Sequence, residues 1–163
     1  MAAFTIISGA QTGVDRAALD AAIACGLDYG GAVPRGRLAE DGPVDRRYGC
    51  LTELDTGDYA ARTEHNVRDA DATLILCPGH PEGGTALTER LARRLRKPVL
   101  VVDIEREPDS VAVKRMRAWI EENNPSVLNV AGPRESRFPG VYARTRAILE
   151  KLFRKIASKN QKS

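Results

Sequence analysis

Four short runs of apolar and β-branched residues, Phe4–Ser8, Thr73–Cys77, Val99–Val102 and Val127–Ala131, each pass through turn residues into helix-periodic sequence. That rhythm is the signature of strands paired in parallel, because each crossover helix returns the chain to the same end of the sheet. A parallel sheet is covered on both faces, and right-handed crossovers supply the cover. A weaker strand, Tyr29–Val33, bounded by glycine and Pro34, brings the number to about five. The pattern predicts an α/β fold: a three-layer α/β/α sandwich around a mostly parallel sheet.

The helices can be placed by counting. Val14, Ala17, Ala18, Ala21, Ala22 and Cys25 form one apolar stripe, Gly26 offers a stop, and Asp15, Arg16 and Asp20 fall off the stripe, leaving Arg16 free to point back toward the preceding turn. A second helix starts after the N-cap residue Asp58 and runs to about Asp69. Tyr59, Arg62, Thr63 and Asn66 share one face of it, with Ala60, Val67 and Ala70 left for packing. Such a polar stripe fits either solvated surface or the wall of a ligand site. Further helices are expected over Gly84–Arg96, Ser110–Asn124 (Val113, Met116, Trp119 and Ile120 inward) and Val141–Ala157, with Pro98 and Pro125 ending the helices before them. Residues 1–157 then form one domain, and residues 158–163 a basic, disordered tail.

The formal charge of +3 over 163 residues is misleading. Lys151, Arg154, Lys155, Lys159 and Lys162 lie in the last thirteen residues with no acid among them, and removing those five leaves −2 over residues 1–150. Nucleic-acid binding needs a basic folded face, so this body argues against it. No run approaches the roughly 20 apolar residues of a membrane span, and no basic segment precedes an apolar one near the start. A cytoplasmic protein is expected. Cys25, Cys50 and Cys77 form no CxxC pair, which suggests neither a disulfide framework nor a thiolate metal site.

Two glycine turns carry the functional signal. SGAQTG (8–13) leaves the first strand and PGHPEGGT (78–85) leaves the third, each delivering backbone into a helix N-terminus. Backbone amides and the helix dipole favour an anion there, and glycine lets a phosphate approach closely. Ser8, Gly9, Gln11, Thr12, Gly13, Gly83, Gly84 and Thr85 are the predicted phosphate contacts, with Arg16 and Arg35 neutralising charge and Tyr59, Arg62 and Asn66 shaping the pocket. Neither turn is a GxGxxG or a Walker A loop. Between Pro34 and Gly57 a long segment rich in arginine and acids suits either a lid over a charged ligand or a solvated excursion.

Catalytic constellations are sparse. His65 and His80 are the two histidines, Cys77-x-x-His80 is only a two-ligand fragment, and no protein-bound metal is predicted. Asp15, Glu82 and Glu89 are carboxylates that could act as a general acid near the turns.

IISGAQTGVDRAALDAA, VPRGRLAEDGP, LTELDTGDYAARTEHNVRDADATLIL and EGGTALT, in that order, resemble the family named "putative molybdenum carrier". It is a branch of the Rossmann-like superfamily that includes the lysine-decarboxylase-like phosphoribohydrolases, and the similarity spans about residues 4–157. The resemblance implies a Rossmann-like carrier of the molybdenum cofactor, a pterin whose dithiolene holds the metal and which ends in a phosphate. It also implies molybdoenzymes as recipients, and folds of this kind commonly form homo-oligomers. The hydrolase relatives carry PGGxGTxxE; here Glu89 stands one position late and Pro81 one position closer to Thr85, which weakens the alternative of a hydrolase acting on a nucleoside monophosphate.

Overall fold

The computed structural model describes residues 4–160. In chain order the elements are β1 (Thr5–Ile7), α1 (Val14–Ala24), β2 (Asp28–Gly30), β3 (Ala32–Val33), β4 (Leu38–Ala39), β5 (Gly42–Pro43), β6 (Thr52–Glu53), α2 (Tyr59–Asp69), β7 (Ala72–Cys77), α3 (Gly83–Arg94), β8 (Val99–Asp103), α4 (Asp109–Asn123), β9 (Val127–Ala131) and α5 (Val141–Asn160). Five strands make one sheet in the order β2-β1-β9-β7-β8, and every pairing is parallel. Helices α1, α4 and α5 pack together on one face, and α2 and α3 on the other. This is the three-layer sandwich predicted.

The last strand in the chain is the central one. Setting β9–α5 ahead of β1 would renumber the sheet 3-2-1-4-5, the start of the doubly wound dinucleotide-binding order. The order in which strands are added therefore reverses about β9. Its following helix, α5, covers the same face as α1, whereas α3, which follows the neighbouring β7, covers the opposite face. The backbone parts there, at the carboxyl ends of the strands.

Packing explains the element choice. All six residues of β7 are buried, as a strand covered on both faces requires. Small alanines on α1 (Ala18, Ala21 and Ala22) bring that helix into the main core with Ile148, Leu149, Leu152 and Phe153 of α5. Val113, Met116 and Ile120 of α4 are buried as predicted, and Trp119 packs against the core edge. Asp58 caps α2 by accepting from the Ala60 N–H at 2.9 Å.

Three expectations need correction. Tyr29–Val33 is not one strand: Gly31 turns the chain with φ +123°, and a Cβ on it would lie 2.1 Å from the Ser8 carbonyl oxygen. Tyr29 therefore stays in the main sheet within β2, while Ala32 and Val33 form β3 and pair with β6. The segment from Pro34 to Gly57 is not a solvated excursion but a packed unit. It contains the β4–β5 hairpin, and Ala39, Val44 and Tyr48 form a second core with Ala10, Leu19 and Val33. Arg37 staples it from inside by donating to the carbonyls of Val44, Asp45 and Tyr48. Finally, α5 continues through Ser158 to Asn160, so the first half of the predicted tail is helical; residues 161–163 lie outside the described residues.

Candidate functional site

Three turns converge where the strands end: β1 to α1, β7 to α3, and β9 to α5. With one face of α2 they enclose a cleft of about 670 Å³, within the range of small-molecule sites. The polar stripe Tyr59, Arg62, Thr63 and Asn66 lines it; Ala60, expected to pack inward, is exposed at its edge.

The α3 turn is open. A Cβ built on Gly83 or Gly84 would meet nothing within 4 Å, and Gly83 holds φ +52°. Among the described residues the N–H groups of Gly83 and Gly84 donate no hydrogen bond, whereas those of Thr85 and Ala86 are already turned to the Glu82 carbonyl. Glu82, at the N-cap position, makes no capping bond. Its carboxylate pairs with Arg137 across the cleft and lies 3.6 Å from His80 Nε2.

The α1 turn is filled by the protein itself. Arg62, 9% exposed, lies directly over Gly9: a Cβ there would stand 1.8 Å from its Nη1, which donates to the Gly9 carbonyl at 3.0 Å. The same nitrogen is 3.2 Å from the Asp15 carboxylate. Asp15 also accepts from the amide of Gln11, at 3.4 Å. Burial raises its carboxyl above the ordinary value despite the opposing pull of Arg62. The Gln11 side-chain oxygen takes the amides of Thr12 and Glu40. Gly13, with φ +77°, allows the segment 133–135 to pass: its Cβ would meet the Pro133 carbonyl oxygen at 2.3 Å.

The third turn, Gly132–Gly140, was not singled out in the sequence. Here Glu135 accepts from the amides of Gly140 and Tyr142, at 2.5 and 2.9 Å, closing the N-terminus of α5. Glu40 clasps the turn from the hairpin, accepting from Thr12 Oγ1 and from the amide and hydroxyl of Ser136. Arg134 and Tyr59 stack, with the guanidinium 5.3 Å from the ring centroid, and Arg62 lies 5.7 Å from the same centroid. Of the three helix N-termini that follow these strand ends, those of α1 and α5 are closed by internal groups, and among the described residues that of α3 has no such cover.

Of the residues predicted from sequence, Gly9, Gln11, Asp15, Tyr59, Arg62, Asn66, Glu82, Gly83, Gly84 and Thr85 line this cleft. The others lie outside the lining, each for a stated reason. Ser8 is buried and donates to the Val130 carbonyl at 2.8 Å. Thr12 is held by Glu40, and Gly13 is packed beneath Pro133. Arg16 does point back to the turn, bonding the Ala10 carbonyl, but is paired with Asp41. Arg35 is exposed in a 3-10 turn, and Glu89 pairs with Arg93 one turn along α3. Asn66 lines the cleft, yet its amide is spent on both backbone groups of Ala32. Cys77, also lining, is buried, which pushes its thiol up to about 11. Among the described residues no group of three or more His, Cys, Asp or Glu side chains could hold a metal, and no helix is long and apolar enough to cross a membrane.

An all-parallel, doubly wound sheet with a cleft at its switch point defines a Rossmann-like α/β protein. Residues 6–153 match the circularly permutated YpsA SLOG family, and the chain belongs to it. The permutation is visible in the sheet, where the C-terminal β9 holds the place of a first strand. The chain is also similar to a solved structure named "Putative molybdenum carrier protein" from Syntrophus aciditrophicus SB: 47% identity, TM-score 0.89, covering 93% of this chain and 95% of that one. No curated protein matches the chain significantly.

Proposed function

We propose that this protein binds and carries a small phosphorylated ligand, and that the ligand's phosphate sits at the N-terminus of α3. The observation that carries this reading is the pair of unpartnered amides at Gly83 and Gly84, beside Arg137, in a cleft of ligand size. A phosphate there gains the helix dipole, two backbone donors and a guanidinium that needs only to turn from Glu82. Arg134 and Tyr59 offer a flat cationic and aromatic wall to a ring system.

The similar structure from Syntrophus is named a molybdenum carrier, and together with the family resemblance of the sequence this favours one ligand, the molybdenum cofactor. Its terminal phosphate suits the α3 amides and its pterin suits the wall at Tyr59. The metal would stay on the ligand's own dithiolene sulfurs and needs no protein donors. Molybdoenzymes would then be the recipients. The competing reading, hydrolysis of a nucleoside monophosphate, would rest on Glu82; Asp15, the other candidate carboxylate that lines the cleft, is taken up by Arg62 and the Gln11 amide.

Calorimetric titration with molybdopterin, orthophosphate and nucleoside monophosphates tests the reading. Wild-type protein should bind at least one phosphorylated ligand, and Gly84→Asp, which sets a carboxylate in open space beside the amides, should bind none while melting normally. Normal binding by the variant, or no binding by the wild type, contradicts it. Release of free base that disappears in Glu82→Gln would favour the hydrolase.

A further inference from the structure

The closed α1 turn is built like an anion site that already holds an anion. Asp15 is 6% exposed, and its carboxylate accepts from the amide of Gln11, in the turn leaving β1, and from Arg62 Nη1. Backbone amides at a strand-to-helix turn together with a guanidinium are the donors with which α/β proteins hold phosphate. Two further donors on the same residues, Gln11 Nε2 and Arg62 Nε, are buried with no hydrogen-bond partner. The shell thus carries more donors than one carboxylate satisfies.

We infer that Asp15 is an internal anion occupying a second phosphate subsite, and that it restricts the cleft to ligands with a single phosphate group. Arg62 and Gln11 line the same cleft as Gly83 and Gly84, so a diphosphate reaching from α3 toward α1 would meet the Asp15 carboxylate. Like charges in a partly buried site repel, and Arg62 Nη1 and the Gln11 amide are already held by Asp15. Selection against the longer ligand comes from this occupied shell, while the attraction for the first phosphate stays at α3. The part of this inference that concerns ligand choice rests on the proposed site at α3; the part that concerns the Asp15 shell stands on its own contacts.

The test uses Asp15→Ala and the isosteric Asp15→Asn, with thermal melting in formate and binding of orthophosphate and pyrophosphate. Asp15→Ala should melt below wild type and regain stability in millimolar formate or orthophosphate, because the vacated shell binds the added anion. Formate should leave the wild type unchanged. Both variants should shift the ratio of pyrophosphate to orthophosphate affinity toward pyrophosphate by about ten- to a hundredfold, the weight of hydrogen bonds to one charged group. Formate failing to stabilise Asp15→Ala, together with an unchanged ratio in Asp15→Asn, overturns the inference. Wild-type protein that ignores every phosphate, while formate still rescues Asp15→Ala, would overturn the α3 reading and leave the internal anion standing.

Discussion

Replacing Gly13 by alanine separates a glycine that serves the chain from one that serves a ligand. At Gly13 the backbone has φ +77° and ψ −129°, a conformation that costs a residue with a Cβ about 1–3 kcal/mol. The new methyl would also lie 2.3 Å from the Pro133 carbonyl oxygen and 2.8 Å from the Arg134 carbonyl carbon and the Glu135 nitrogen. These are backbone atoms that no rotamer change can move, so overpacking adds about 1–3 kcal/mol. The Val14 N–H to Pro133 carbonyl bond, 3.2 Å long, sits at the same point and would be strained with them. The total is about 4 kcal/mol, which for a domain of this size lowers the melting temperature by about 8–16 °C. Gly84→Ala, by contrast, meets nothing within 4 Å and should leave stability within about 1 kcal/mol of wild type. Circular dichroism melts and urea titrations of the two variants provide the comparison. If Gly13→Ala melts with Gly84→Ala, the close approach of residues 133–135 is not what Gly13 is for, and the reasoning fails.

Other outcomes follow from single contacts. Asn66→Ala leaves the buried amide and carbonyl of Ala32 without partners, and urea unfolding should show a loss of about 2–4 kcal/mol. Thiol titration of the native protein near pH 8 should modify exposed Cys50 first and leave Cys77 unmodified until unfolding, since burial, and secondarily Asp103, holds its thiol up to about 11. At Asp103 burial pushes the carboxyl up, but the amides of Gly79, Glu105 and Arg106 outweigh it and hold the net value below the ordinary one. A depressed carboxyl stabilises the fold above its unfolded value, about 3.9, and that contribution disappears as pH falls through the lower folded value. Asp103→Asn should therefore cost stability at pH 7, and its deficit against wild type should close at the acid end of a pH series of urea unfolding curves.

The periodic parts of the fold were legible before any coordinates. The α1 stripe, the Asp58 cap and the buried strand Thr73–Cys77 each rest on local rules that tertiary contacts did not override. The face of α2 bearing Tyr59, Arg62, Thr63 and Asn66 was readable as one stripe, but only packing against the sheet decided that it lines a cleft. The role of Gly13 was not readable, because a missing Cβ makes room equally well for a phosphate or for a neighbouring peptide. The third turn escaped for a related reason. In AGPRESRFPG the two glycines stand eight positions apart, and nothing local says that β9 inserts at the centre of the sheet and carries Arg134 and Arg137 to the cleft. Gln11 and Thr12 read from sequence as phosphate contacts; in the structure they bond each other and Glu40, which comes from a segment whose placement depends on the second core.

The central claim is that an anion in this cleft goes to α3 and not to α1. Amide chemical shifts in a nitrogen-15 labelled sample, followed during titration with a phosphorylated ligand, read this at the atoms concerned. The N–H signals of Gly83 and Gly84 should move strongly on binding, while those of Gln11, Thr12 and Gly13 stay nearly fixed. Large shifts at Gln11 to Gly13 with Gly83 and Gly84 still would contradict the account.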